Sequence, residues 1–365
     1  MTKRVVSPVL APGSTLGILG GGQLGRMLAL AAAQLGYRVH IYTPEAHAPA
    51  SMVAASTTVA QWENIHALGD FARGVDAITY EFENIPLETV IALEEQGVSV
   101  QPSSRVLAIC QHRIREKSAL RDAGIPTADF MAITDQASLQ AAHAFPFPAI
   151  LKTAESGYDG KGQAKIASAA ELDAAWKQFG HVGCILESLV DFRMEVSVLV
   201  TRAADGQIAC FDPVHNIHRN HILDETHAPA PISTALAAEA RALATRIATE
   251  IDLQGLLAVE LFVTKDDALL VNELAPRPHN SGHWTMEACH HSQFEQCARA
   301  VLGLSLGTPE RHSNARMKNL IGDEANDWAS YLADPSAKLH LYGKSEARPG
   351  RKMGHVTWLL PKSDA

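Results

Sequence analysis

The sequence predicts a protein of mixed α/β and α+β architecture, built as several lobes. Three observations carry this expectation. The chain opens as strand, glycine-rich loop, helix and strand; aliphatic strand-like runs return after residue 192; and two further strand-like runs flank a basic loop near the C-terminus. With 365 residues, 47% apolar and 19% charged, the chain exceeds one typical domain and holds core material for two or three.

Residues 15–19 read as a strand, an alanine-rich helix runs to Leu35, and residues 37–42 return as a second strand. Strands at 75–80 and 98–100, with a helix at 87–95 between them, complete a parallel α/β unit. One charged helix is expected over 104–123, closed by Gly124 and Pro126, and strands with short helices continue to Val190 as a small lobe. Strands at 192–200 and 256–271 around a helix at 235–250 form a second lobe, and strands at 339–342 and 355–360 close the chain. The expected boundaries are 1–112, 113–190, 191–305 and 306–365.

A net charge of -9 argues against a nucleic-acid surface, so anionic small substrates need locally placed cations. The five cysteines, Cys110, Cys184, Cys210, Cys289 and Cys297, form no CxxC pair, which suits reduced thiols in the cytoplasm. Pro8 and Pro12 interrupt the N-terminal apolar stretch, so no signal peptide is read there, and no run reaches membrane-spanning length.

Gly20-Gly21-Gly22-Gln23-Leu24-Gly25 follows a strand and opens a helix, where backbone amides and the helix dipole favour a phosphate. A dinucleotide site would want an acid at the tip of the second strand, but Tyr42 and Thr43 stand there, with Glu45 beyond Pro44. A purely structural turn stays open at this point. Next, residues 149–152 read as a buried strand ending in Lys152, five residues before Gly157-Tyr158-Asp159-Gly160-Lys161-Gly162-Gln163. Its glycines let backbone approach a polyphosphate and swing to exclude water, while Lys152 and Lys161 offset charge; a flexible hairpin tip is the competing reading.

If Asp266-Asp267 makes a two-residue turn, Glu260 and Glu273 fall opposite each other on one face of a hairpin. Two such carboxylates need a shared proton or a cation, and with Asn272 beside them they suit Mg²⁺ carrying nucleotide phosphates. The loop that follows holds Arg277, whose fork fits an oxyanion such as bicarbonate, and His279 and His283, which can orient it or move protons. No standard zinc spacing occurs in His215-His218-His221, in His279 and His283, or in Cys289-His290-His291 with Cys297. Lys344, Arg348, Arg351 and Lys352 form a basic loop, either solvated or suited to a phosphorylated substrate.

Over nearly its whole length the chain resembles the N5-carboxyaminoimidazole ribonucleotide synthetase family, the ATPase subunit of phosphoribosylaminoimidazole carboxylase, in the ATP-grasp superfamily. The residues that carry the resemblance are 20–27, Tyr-Glu-Phe-Glu-Asn at 80–84, the lid at 157–163, Asn-Ile-His at 216–218, 272–283 and 350–355. It implies an ATP-grasp fold with an N-terminal Rossmann-like domain and a small C-terminal β-rich region. It also implies an enzyme that uses ATP and Mg²⁺ to turn bicarbonate into carboxyphosphate and to carboxylate 5-aminoimidazole ribonucleotide in purine biosynthesis.

By this resemblance Arg113, Lys152, the lid from Gly157 to Gln163, Glu187, Ser188, Leu189, Val190, Glu195, His218, Asn272 and Glu273 would bind ATP. Glu260 and Glu273 would hold the metal. Gly22, Gln23, Leu24, Glu81, Lys344 and Arg351 would take the ribonucleotide, and Arg277, His279 and Lys344 would serve the chemistry. A homodimer and a functional link to the mutase that follows are implied as well. Ala154-Glu155, where relatives often carry basic residues, and His215, where many carry an acid, depart from the family's pattern. Other enzymes within reach of the same motifs are a formate-dependent purine transformylase and a biotin carboxylase; a nucleotide-binding module without turnover is the non-catalytic alternative.

Overall fold

A computed structural model describes residues 9–155 and 162–362. Thr15–Leu19, Arg38–Thr43, Ser56–Val59 and Ala77–Tyr80 form a parallel sheet with Thr15–Leu19 between Arg38–Thr43 and Ala77–Tyr80. Val100 adds a single parallel bridge to Ile78, so the short run expected at 98–100 pairs through one residue. The helix Gln23–Gln34 lies against one face and the helices Ile65–Arg73 and Leu87–Glu95 against the other, each burying apolar side chains. Ser56–Val59 and Ile65–Arg73 escape the sequence reading. The strand is short, half-polar and barely buried, so it shows no alternation to recognise.

The single helix expected over 104–123 is two, Ser104–Cys110 and Arg113–Asp122. His112 breaks it: its backbone is extended, and its Nδ1 accepts the Arg115 amide at 3.4 Å as the N-cap of the second helix. Gln111 is held at the joint by the carbonyls of Glu83 and Ile85, so the break has partners on both sides.

A four-stranded antiparallel sheet makes the small lobe, in the order Phe130–Ile133, Cys184–Ser188, Ala149–Thr153, Gln163–Ile166. Apolar faces of the helices Gln136–Ala142 and Ala169–Gln178 close its core. Among the described residues the large sheet has nine strands, eight in one path and a ninth, Ile208–Cys210, paired beside it to Phe192–Arg202. It begins at the edge strand Leu269–Ala275 and passes through Gly255–Thr264, Phe192–Arg202, the hairpin Val214–Arg219 and Ile222–Ala228, and then Asn314–Ile321, Lys352–Leu360 and Ala337–Leu341. The C-terminal strands therefore continue this sheet. The helix Thr234–Glu250 packs on one face, while Gln293–Val301 on the other meets Gln23–Gln34 of the N-terminal unit. That helix contact sets the glycine loop beside the loop that follows Ala275.

Candidate active site

The turn at 265–267 differs from the two-residue turn expected, yet Glu260 still faces Glu273. Thr264 pairs with Ala268 across a three-residue loop, with Asp267 in the left-handed region at φ 63. This offsets the ladder by one residue, so Leu261 lies opposite Val271. A bulge at Asn272 then restores Glu260 opposite Glu273. The same bulge turns Asn272 and Glu273, although consecutive, into one cleft.

That cleft has a volume of about 570 Å³ and lies between the small lobe and the large sheet. Arg113, Lys152, Gly162, Gln163, Glu187, Ser188, Leu189, Val190, Glu195, His218, Glu260, Asn272, Glu273, Arg277 and His279, all singled out in the sequence, line it. Gly157, Tyr158, Asp159, Gly160 and Lys161 lie outside the described residues. Phe192 and Phe262 stack face to face at 4.5 Å and give the cleft an apolar wall.

Lys152 forms an ion pair with Glu187, and Lys117 stands 3.6 Å from the other carboxylate oxygen, which is buried and accepts no hydrogen bond. Burial opposes the Glu187 charge, but these two lysines hold its carboxyl below the usual range. Arg113 heads its helix and anchors the strand end before the lid, its guanidinium on the Thr153 carbonyl at 2.9 Å and its amide on that of Ala154. Glu155 stands 3.8 Å from His112. His218 lies 3.3 Å from Glu195; burial works against its charge, yet that carboxylate raises it above the ordinary histidine value. His215 sits outside the cleft, its ring 6.1 Å from that of His227.

Burial also opposes the charge on Glu260, but a hydrogen bond from His279 Nε2 at 3.0 Å holds it down at about 2. Glu273 receives no such donor, and burial followed by the charge of Glu260 pushes it upward. An ionised carboxylate facing one that resists ionisation fits a divalent cation held jointly with phosphate oxygens. Among the described residues no group of three or more His, Cys, Asp or Glu could hold a metal by itself, so the protein supplies only part of such a shell.

A chain of buried hydroxyl and amide groups stands behind His279. Thr226 donates to Asn216, Asn216 to Ser197 at 2.9 Å, and Ser197 to Ser281 at 2.7 Å, while Ser281 Oγ lies 2.8 Å from His279 Nδ1. The Ser281 amide also points at Nδ1 from 3.4 Å, which leaves the Nε2 proton for Glu260. Arg277 is gripped from the N-terminal unit by Glu83 through both carboxylate oxygens, with Nη2 at 2.8 Å. Glu83 stands in the motif at 80–84 but receives no role from the sequence, and the Glu116-Lys117 pair is not singled out at all; a helical glutamate and lysine in an already charged segment give no signal of burial.

The second residue set does not line this cleft, although Glu81 feels the charge of Arg277, which does. Buried Glu81 accepts the Gly22 amide at 2.6 Å and the Gly25 amide at 3.1 Å, so two amides assigned to a phosphate already meet a carboxylate. Gln23 and Leu24 follow at the start of the helix. Burial raises Glu81 above its usual range despite those amides. Gly20, at φ 101, and Gly22 leave no room for a Cβ, which would meet Glu81 at 2.5 Å in both cases. Lys344 Nζ donates a hydrogen bond to the Lys352 carbonyl at 2.7 Å, and burial followed by Arg351 lowers its pKa to about 8. Arg351 donates to the Glu346 carbonyl at 3.0 Å.

Three family models match this chain end to end: a ribonucleotide synthetase preATP-grasp domain over 14–111, an ATP-grasp domain over 118–294, and a phosphoribosylaminoimidazole carboxylase C-terminal domain over 315–365. The N5-carboxyaminoimidazole ribonucleotide synthase of Brucella melitensis is 47% identical, with 97% of this chain and 98% of that protein aligned. The bifunctional purine synthesis protein purC/E of Dictyostelium discoideum is also 47% identical; the chain spans 38% of its length. An ADP complex of an N5-carboxyaminoimidazole ribonucleotide synthetase superposes with TM-score 0.92 at 42% identity, covering 97% of this chain and 94% of that one. The synthase of Aspergillus clavatus, solved with ADP and 5-aminoimidazole ribonucleotide, superposes with TM-score 0.87 at 30% identity over 96% and 94% of the two chains. Three adjoining domains, a shared fold and near-complete alignment converge, and the chain belongs to the N5-carboxyaminoimidazole ribonucleotide synthase family.

Proposed function

We propose that this chain is an ATP-dependent carbon-nitrogen ligase that carboxylates 5-aminoimidazole ribonucleotide with bicarbonate. A bicarbonate oxygen attacks the γ-phosphorus of ATP, ADP leaves, and the carboxyphosphate formed delivers CO₂ to the ribonucleotide amine as phosphate departs. The observation that carries the reading is one cleft in which Lys152, the Glu260-Glu273 pair, Arg277 and His279 converge.

Glu187 and the hinge residues Ser188 to Val190 border the end walled by Phe192 and Phe262, which suits a base, and the unpaired Glu187 oxygen suits a donor on the nucleotide. Lys152 and Arg113 sit where a polyphosphate needs cations. Glu260 and Glu273, with the Asn272 amide, would hold Mg²⁺, which supplies charge neutralisation on the transferring phosphoryl group. Arg277, oriented by Glu83, would hold bicarbonate, and His279 keeps Glu260 ionised. Gln23, Leu24, Glu81, Lys344 and Arg351 would take the ribonucleotide from the N-terminal and C-terminal sides. Carboxyphosphate hydrolyses readily, so the lid at 157–163 would exclude water.

The boundaries 1–112, 113–190, 191–305 and 306–365 follow this division of labour. A homodimer, a product passed to the mutase that follows, and a cytoplasmic location complete the reading; five free cysteines and the lack, among the described residues, of any helix long and apolar enough to cross a membrane support the last. Purified protein is expected to release ADP from ATP and bicarbonate only when aminoimidazole ribonucleotide is present. Turnover that needs formate and glycinamide ribonucleotide, or none at all, overturns the assignment.

A further inference from the structure

The strand Leu269–Ala275 is an edge of the large sheet, so the backbone groups on its outer side need partners from elsewhere. In a regular strand those groups belong to alternate residues. Here they belong to Val271 and Leu274, with the bulge between them. Val271 donates to the Pro126 carbonyl at 2.9 Å, and its own carbonyl accepts from Thr127 Oγ1 and Lys117 Nζ, both at 2.8 Å. Lys117 Nζ also meets the Asn272 carbonyl at 2.7 Å, and Glu116 takes the Leu274 amide at 2.9 Å.

Glu116 and Lys117 are neighbours on the helix Arg113–Asp122, and each is only 2% exposed. Two ionisable side chains buried to this degree are costly unless their bonds are made. The three hydrogens of the Lys117 ammonium meet Thr127 Oγ1, the Val271 carbonyl and the Asn272 carbonyl, so none remains for a phosphate although the side chain borders the cleft. Two carbonyls and an amide spaced in this way exist only on the bulged strand.

We infer that Glu116 and Lys117 are positioning residues that clamp the bulge at Asn272 and so set the spacing of Glu260, Asn272 and Glu273. The inference rests on the metal role proposed above for those three residues, since their spacing matters to function only if they share a cation. A strand without the bulge would place Glu260 one residue out of line with Glu273 and turn either Asn272 or Glu273 away from the cleft.

The test is calorimetric titration of the full chain with ADP, in Mg²⁺ and separately in EDTA, which needs no ribonucleotide. For Lys117→Met the ratio of the two affinities is expected to fall at least tenfold (~1.4 kcal/mol), over and above any loss common to both buffers that comes from the weakened hold on Glu187. Equal losses in both buffers, or no loss in either, overturn the inference. Should Lys117→Met fail to fold, Glu116 decides: Glu116→Gln, which keeps an acceptor for the Leu274 amide, should preserve the ratio that Glu116→Ala loses, and equal ratios in these two overturn it. A wild-type ratio of one refutes the metal role itself and this inference with it, whereas absence of carboxylation with a normal ratio refutes only the proposed substrate.

Discussion

His279 donates a hydrogen bond from Nε2 to Glu260 across 3.0 Å, and so keeps ionised one carboxylate of a facing pair. Glu260 sits at about 2 because that bond outweighs burial. For His279→Ala the donor is gone, the Glu260 pKa rises, and Mg²⁺-dependent ADP binding should fail at higher pH as the solution is acidified. The acidic limb is expected to move upward by about two units, into the ordinary carboxylate range, which is about 2.7 kcal/mol between the two protonation states. Binding curves between pH 4 and 8 that coincide with wild type would rule this out.

Glu273 is the half of the pair that burial and the charge of Glu260 push upward. Glu273→Gln is expected to lower turnover by about 100-fold or more, about 2.7 kcal/mol of lost transition-state stabilisation. It should also remove the Mg²⁺ dependence of ADP binding. Retained turnover at wild-type rates would refute the metal role.

Lys344 is lowered to about 8 by burial and by Arg351, so it loses its charge as pH rises through about 8. Its proposed contact with a phosphorylated substrate weakens in the same interval. The KM for the ribonucleotide should therefore climb above pH 8, while Lys344→Arg, which stays charged, should hold it level to pH 9. Parallel pH profiles for the two proteins would remove Lys344 from that role.

Much of this arrangement is legible in the sequence, and the failures have identifiable causes. The opening strand and helix and Glu260 opposite Glu273 follow from period-two and period-3.6 patterns and from motif spacing, while Arg113, Glu187 to Val190, Glu195 and His218 come from the family resemblance. The turn at 265–267 was misread because Asp267 accepts a left-handed backbone there, helped by an Arg193 ion pair from a distant strand. Only the Asn272 bulge, which depends on Glu116 and Lys117 more than 150 residues earlier, repairs the register. The hairpin Val214–Arg219 with Ile222–Ala228 was missed for a related reason: Asn220 and His221 both take positive φ, a turn that Asn-Gly announces and Asn-His does not.

Glu81 offers a test of the N-terminal loop. Because a Cβ at residue 22 would stand 2.5 Å from Glu81 Oε1, Gly22→Ala must displace that carboxylate from the two amides it accepts. A loss of about 1–3 kcal/mol in stability is expected from the overpacking, together with a raised KM for the ribonucleotide. ADP affinity should stay within about twofold, since Gly22 does not border the nucleotide cleft. A matching loss of ADP affinity in calorimetry would show that the two regions are not separate.

The strand Asn314–Ile321 is stitched onto Ile222–Ala228, rung by rung, and Lys352–Leu360 onto Asn314–Ile321, as part of the same sheet that carries Glu260. Cut away, they would bare one whole flank of Ile222–Ala228, a seven-residue strand, as an open template for pairing with other chains. The tail proposed to offer Lys344 and Arg351 to a substrate therefore also covers an edge open to self-association. A protein shortened at residue 313 would be lost to aggregation before its chemistry could be measured.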